Sequence, residues 1–190
     1  RFTLAVDPGI VIREGGGVDI VSGGELYRAL LAGADPGKIV YSGVGKRIDE
    51  IDYALTSGIL LFNVESPAEL ETIQLRAKTL GKKASIALRI NPDVDPQTHP
   101  HISTGLKENK FGIDIATAVE AYRAAARLPN LDITGVSCHI GSQVTKVSPF
   151  VDALGRLQVL VRRLREEGMD IRYLDLGGGL AVDYDGSQSN

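Results

Sequence analysis

The chain has 190 residues, 43% hydrophobic and 24% charged, with 24 acidic against 21 basic side chains and a net charge of −3. That composition suits one sizeable soluble core and recommends neither nucleic acid nor an anionic membrane as a partner. The single cysteine, Cys138, excludes an internal disulfide, no apolar run reaches about 18 residues, and the N-terminus lacks a secretory pattern, so a cytoplasmic location is the expectation.

One grammar repeats along the sequence: a short apolar run, a glycine or polar turn, then an amphipathic helix. Residues 2–6 read as a first strand and 18–22 as a second, after which Gly23-Gly24 opens a helix over 25–31. Residues 39–42 form a third, followed by Gly43-Val44-Gly45 and a helix over 47–57. The fourth covers 59–64. Ser66 then caps a helix with Glu69 at its third position, a capping box, and Leu70, Ile73, Leu75 and Leu80 make its apolar face. Strands over 84–90 and 131–138 flank a polar loop at 91–112 and a helix near 115–128. A helix over 150–167, apolar along Leu154, Leu157, Leu160, Val161 and Leu164, leads to a seventh strand at 171–176.

Alternating strands and helices mean parallel βαβ units, arranged as a TIM-type (β/α)8 barrel or as a doubly wound open sheet. Both folds place their sites at strand C-terminal ends, but an open sheet concentrates them at one switch point. Here polar or glycine residues follow nearly every strand: Asp19 and Ser22, Ser42 and Gly43, Glu65 and Ser66, Arg89 and Asn91, His139 and Ser142, and the glycines at 177–179. The expectation is an α/β, TIM-type barrel, incomplete at about seven strands, with residues 1–190 as one partial domain. Eleven residues separate Val6 from Val18, fewer than the dozen or so of an ordinary parallel crossover. The polar tail at 185–190 stops where a helix should follow.

Two strand ends carry the strongest chemical signals. Tyr173-Leu174-Asp175-Leu176 runs into Gly177-Gly178-Gly179, a pattern that forms either a tight turn or an anion-binding nest of backbone N–H groups. In Cys138-His139-Ile140-Gly141-Ser142-Gln143, His139 is a candidate to stack on a ligand or move a proton, or else a hydrogen-bonded structural histidine. Ser142 is a phosphate ligand or a loop serine. Cys138 reads as a packed thiol rather than a nucleophile. Arg89, in an otherwise apolar strand, requires an anionic ligand or an internal carboxylate, and Asp19 poses the same question with opposite sign. His99 and His101 lack a third ligand, so no metal is expected; the length of their loop suggests contact with substrate.

Taken together, Gly17-Val18-Asp19-Ile20-Val21-Ser22-Gly23-Gly24-Glu25-Leu26, Arg89-Ile90-Asn91-Pro92, Lys110-Phe111-Gly112-Ile113 and the two strand-end motifs resemble the bacterial diaminopimelate decarboxylases. These belong to the fold-type-III pyridoxal-phosphate enzymes, with alanine racemase and ornithine decarboxylase, and the resemblance covers residues 15–184. It implies a barrel that binds pyridoxal 5'-phosphate, a β-rich C-terminal domain, a head-to-tail homodimer, and decarboxylation of meso-2,6-diaminopimelate to L-lysine in lysine biosynthesis. The amino-acid substrate is the small-molecule partner, and the cofactor is the electron sink. By motif, His139 would stack on the pyridine ring and Ser142, Gly177, Gly178 and Gly179 would hold the phosphate. Arg89 would face the ring substituents, Asp19 would sit beside the cofactor-bearing lysine, and the loop from His101 to Lys110 would border the site.

The sequence also departs from that pattern. Asp7 follows Ala5-Val6 where the family carries its lysine, and Lys38, Lys46, Lys82, Lys83, Lys107, Lys110 and Lys146 match other positions. The eighth strand, with its Glu-Pro-Gly-Arg motif, and the C-terminal domain are absent. With Asp7 at that position, the chain would hold the cofactor only non-covalently and would not turn over by the family mechanism. Two alternatives accompany the carboxy-lyase reading: a truncated or engineered non-catalytic barrel fragment, and a related amino-acid decarboxylase. The motifs at 138–143 and 175–180 disfavour a racemase.

Overall fold

A computed structural model of the chain describes residues 8–94 and 111–182. The expected first strand at 2–6, Asp7, and His99 and His101 lie outside the described residues.

The described residues open with a short helix, α1 (Pro8–Arg13). β1 (Val18–Ile20) follows, then α2 (Gly23–Leu31), whose start is fixed by Ser22 Oγ accepting from the Glu25 N–H at 3.2 Å. β2 (Ile39–Tyr41) leads to α3 (Ile48–Ser57), closed by Gly58 at φ 71°. β3 (Leu61–Val64) leads to α4 (Pro67–Thr79). Ser66 caps α4 as expected, its Oγ accepting from the Glu69 N–H at 3.2 Å, while the Glu69 carboxylate reaches Lys46. Leu70, Ile73 and Ala77 form the buried row of α4, and Leu75 is 59% exposed. Two residues beyond Ile73, Leu75 has turned by roughly 200° and points away from the sheet.

β4 (Ala84–Asn91) is the longest strand, and β5 (Ile113–Asp114) is a two-residue addition the sequence did not suggest. The helix expected over 115–128 divides into a 3-10 turn, Ile115–Thr117, and α5 (Ala118–Ala126). β6 (Leu131–Ser137), α6 (Ser148–Glu166) and β7 (Tyr173–Asp175) complete the described elements. α6 buries Ala153, Leu157, Leu160 and Leu164, with Leu154 and Val161 half-buried beside them.

Every strand pair is parallel, and the sheet order is β1-β2-β3-β4-β6-β7, with β5 paired to the end of β4. This sequential order decides between the two fold classes. A doubly wound sheet reverses direction at a switch point, whereas a barrel adds each strand beside the last. The fold is an incomplete parallel β/α barrel. Seven strands are present among the described residues, with β5 in the count and residues 2–6 outside it.

Register sorts the side chains into two faces. The pairings align Asp19 with Val40, Asn63 with Ala87, Ala87 with Gly135, Arg89 with Ser137 and Ser137 with Asp175 on one face. The alternate residues, among them Tyr41, Phe62, Ile86, Leu88 and Val136, are buried in the core that the helices cover. Tyr41 and Phe62 stack there with centroids 5.9 Å apart. One irregularity is built in: Ile86 pairs with Ile133 but Ala87 pairs with Gly135, so Thr134 is skipped. The fully buried Tyr122 hydroxyl fills that point, accepting from the Leu88 N–H at 3.2 Å and donating to the Gly135 carbonyl at 2.9 Å.

Candidate active site

The polar residues at the strand C-terminal ends form a connected set. Ser42, just after β2, donates from Oγ to Asp19 Oδ1 at 2.6 Å. Asn63 of β3 donates from Nδ2 to Ser42 Oγ at 2.9 Å and to Asp175 Oδ2 at 2.6 Å. Asp175 Oδ1, at the end of β7, accepts the Gly177 N–H at 2.7 Å. A single hydrogen-bonded line therefore runs from β1 to the glycine loop.

Asp19, on β1, is exposed to solvent among the described residues. Crowding by the strand ends nevertheless strips water from its carboxyl, raising it to about 6 against a lowering from the Ser42 bond, with the Asp175 charge adding to the rise.

The β6 and β7 loops interlock. Gly177, at φ 69°, lies so close to β6 that a Cβ there would meet the Cys138 carbonyl and His139 Nδ1, each at 2.7 Å. At Gly179, φ 99°, a Cβ would fall on the Gly141 carbonyl and come within 3.4 Å of the Ser142 Cα. Val144 N–H donates to the Gly179 carbonyl at 2.9 Å, and Ala181 N–H donates to the Val144 carbonyl at 3.1 Å. His139, Ser142, Gly177 and Gly179 thus share one corner. Burial holds the His139 imidazole below its ordinary pKa, reinforced by the Arg89 charge and opposed by Asp175 and Glu65. Burial, assisted by Asp175, pushes the Cys138 thiol up to about 12, which leaves it a poor nucleophile.

Arg89 finds its partner inside the protein. Nη1 lies 2.9 and 3.0 Å from the two oxygens of Glu65, and the guanidinium packs 5.8 Å from the Phe111 ring centroid. Beneath this layer Lys46, whose side chain is 1% exposed, donates to the Gly43 and Asn63 carbonyls at 2.8 Å each and to Glu69 Oε1 at 2.6 Å. It is fully spent as a structural cation.

Sequence reading marked Ser42 and Glu65 as strand-end residues without giving them partners, and passed over Asn63. The available signal was one polar residue in the run Leu60-Leu61-Phe62-Asn63-Val64. A groove of about 310 Å³ between α6 and β7, lined in part by Gln158, Val161, Arg165 and Tyr173, borders none of the expected site residues.

The family described as "Pyridoxal-dependent decarboxylase, pyridoxal binding domain" matches residues 9–190. The chain belongs to that family. Pyridoxal phosphate is accordingly the cofactor class of this domain family. Similar curated proteins include the diaminopimelate decarboxylases of Pseudomonas aeruginosa, 59% identical over 175 residues, and of Neisseria meningitidis, 57% identical over 170 residues. These alignments take in 92% and 90% of this chain and 42% of each relative. The chain therefore spans less than half the length of the curated relatives it matches. Among solved structures, diaminopimelate decarboxylase from Helicobacter pylori complexed with L-lysine superposes with a TM-score of 0.90 at 44% identity, covering 95% of this chain and 46% of that one. The Paramecium bursaria Chlorella virus arginine decarboxylase bound to agmatine superposes with a TM-score of 0.80 at 25% identity, covering 96% of this chain and 46% of that one. The barrel is of the kind these decarboxylases share. No helix of the described residues is long and apolar enough to cross a membrane.

Proposed function

We propose that the chain is the cofactor-binding barrel portion of a carboxy-lyase that converts meso-2,6-diaminopimelate to L-lysine, with residues 1–190 forming one domain. The observation that carries this reading is the interlocked corner of His139, Ser142, Gly177 and Gly179 in a chain 59% identical to a diaminopimelate decarboxylase.

The residues fit a phosphorylated pyridine. The Gly179 position has no room for a side chain because the Gly141 carbonyl packs against it, which locks the glycine loop beside Ser142. Among the described residues the Gly178 and Gly179 N–H groups are not spent on protein acceptors. The Gly177 N–H is spent on Asp175, so the donor set narrows to Gly178, Gly179 and the Ser142 hydroxyl. A neutral His139 imidazole suits stacking on the pyridine face. Arg89, neutralised by Glu65, offers its remaining N–H groups to the ring substituents, and Asp19 holds or yields a proton near neutral pH beside the cofactor. When bound, pyridoxal phosphate supplies the electron sink for decarboxylation. Homodimer formation, which rests on the family resemblance, and a cytoplasmic location, which rests on the single-cysteine composition, belong to the same proposal.

Asp7 favours a second reading, a barrel that binds cofactor without turnover. Equilibrium dialysis with pyridoxal 5'-phosphate, then borohydride reduction and mass analysis, separates the two. The chain with Asp7 should bind the cofactor and lose it on dialysis after reduction, and Asp7→Lys should retain one cofactor mass covalently. Covalent retention with Asp7 in place, or CO2 release from meso-diaminopimelate, would overturn the non-catalytic reading. Failure to bind the cofactor at all would overturn both.

A further inference from the structure

Asn63 is 4% exposed in the middle of the sheet, yet its side chain is poorly matched to a merely structural task. Its Oδ1 is buried with no partner among the described residues, a cost that an apolar side chain would avoid. The amide nitrogen, in contrast, spends its hydrogens on Ser42 Oγ and Asp175 Oδ2. The backbone beneath is held by Lys46, which bonds the Asn63 carbonyl at 2.8 Å. Asp175 sits at the end of a strand that pairs only with β6 among the described residues, and its other oxygen takes the Gly177 N–H.

We propose that Asn63 is a positioning residue for the glycine loop. From a rigid interior strand it fixes the Asp175 carboxylate, and the carboxylate fixes Gly177. The Gly178 and Gly179 N–H groups are thereby turned toward the ligand phosphate. The inference rests on the cofactor reading above, because it assigns Asn63 a role specific to the phosphate rather than to the pyridine ring.

Two measurements on the full chain test it. The first compares dissociation constants for pyridoxal 5'-phosphate and for pyridoxal, which lacks the phosphate. Asn63→Leu should weaken the phosphorylated ligand by about tenfold or more, since a hydrogen bond to a charged group is lost, and leave pyridoxal within about twofold. The second is amide hydrogen exchange without ligand: Asn63→Leu should speed exchange at Gly177 by about tenfold. Asn63→Asp places two carboxylates against each other and should lose as much as the leucine variant. The exchanged pair Asn63→Asp with Asp175→Asn restores a donor facing an acceptor and should regain most of both signals. It also carries the test if Asn63→Leu does not fold.

Equal loss for both ligands, unchanged exchange at Gly177, or no recovery in the exchanged pair would overturn the proposal. If the unsubstituted chain does not prefer the phosphorylated ligand, the cofactor reading falls, and with it the phosphate role. The exchange measurement then still shows whether Asn63 positions the loop.

Discussion

The centre of the sheet and its β7 edge carry polar groups on the same face and hold them by different means. In β3 every residue is buried, and Phe62 and Val64 anchor the strand to the helical layer. Asn63 takes its position from that packing. In β7, Tyr173 and Leu174 are 37% and 40% exposed, and one neighbouring strand supports them among the described residues. Asp175 and the glycine loop are placed instead by hydrogen bonds and by close backbone contact with β6. Burial sets the centre and polar ties set the edge. Substitutions in the packed layer at the centre should therefore appear in global stability, and those at the edge, or at Asn63 which ties the edge down, in ligand affinity.

The largest test of that contrast is Lys46→Met. It removes the cation from a carboxylate that is 10% exposed and whose pKa burial already raises. Urea unfolding should show a loss of about 3–5 kcal/mol, and adding Glu69→Gln should recover much of it. Gly179→Ala acts at the edge. Its Cβ meets the Gly141 carbonyl in a backbone conformation that L residues rarely adopt. Dialysis should show a loss of about a hundredfold in pyridoxal phosphate affinity, close to 3 kcal/mol, with a smaller fall in unfolding midpoint.

Tyr122→Phe returns to the centre. It leaves the Leu88 N–H and Gly135 carbonyl without their shared partner, and calorimetry should read a cost of about 1–2 kcal/mol. Asp19 gives a pH signature. Its carboxyl is raised from 3.8 to about 6, so the fold binds the proton more tightly than the unfolded chain. That stabilising contribution is complete below 3.8 and is lost as pH climbs through about 6. Asp19→Asn should flatten the stability profile across that window, and a profile that keeps its slope would place the titration elsewhere. The smallest effect belongs to the exposed pair of Arg47 and Asp49, 73% and 66% exposed. Arg47→Ala should change stability by less than about 0.5 kcal/mol.

Much of the fold was legible because its signals are local. Gly23-Gly24 and Ser66 announce helix starts, and the apolar runs at 39–42, 59–64 and 84–90 lie close to their strands. The barrel itself was legible from the spread of polar strand ends. Leu75 misled because residue type was weighed above its angle on α4, where Ala77 holds the buried position. β5 was illegible because two residues at the end of β4 carry no periodicity. The site divided in the same way. Glycines with no room for a Cβ and a histidine after a strand are marked by their own identities. Asn63 draws its meaning from Ser42 on one neighbour and Asp175 on a distant strand, and only the curl of the sheet brings the latter within reach. Arg89 could have faced a ligand or a carboxylate; the choice of Glu65 depends on adjacent strands β3 and β4 lying in parallel.

The bond from Asn63 to Asp175 spans 112 positions in sequence. Nearly every other strand contact joins elements adjacent along the chain, so the sheet can grow outward one unit at a time as synthesis proceeds. Asp19, Ser42 and Asn63 can meet as soon as β3 is in place. The glycine loop cannot be anchored until β7 arrives, so ligand capture becomes possible late in the order of assembly. A cofactor that binds there adds its stabilisation to a nearly finished scaffold and favours chains that have docked their last described strand over those that have not.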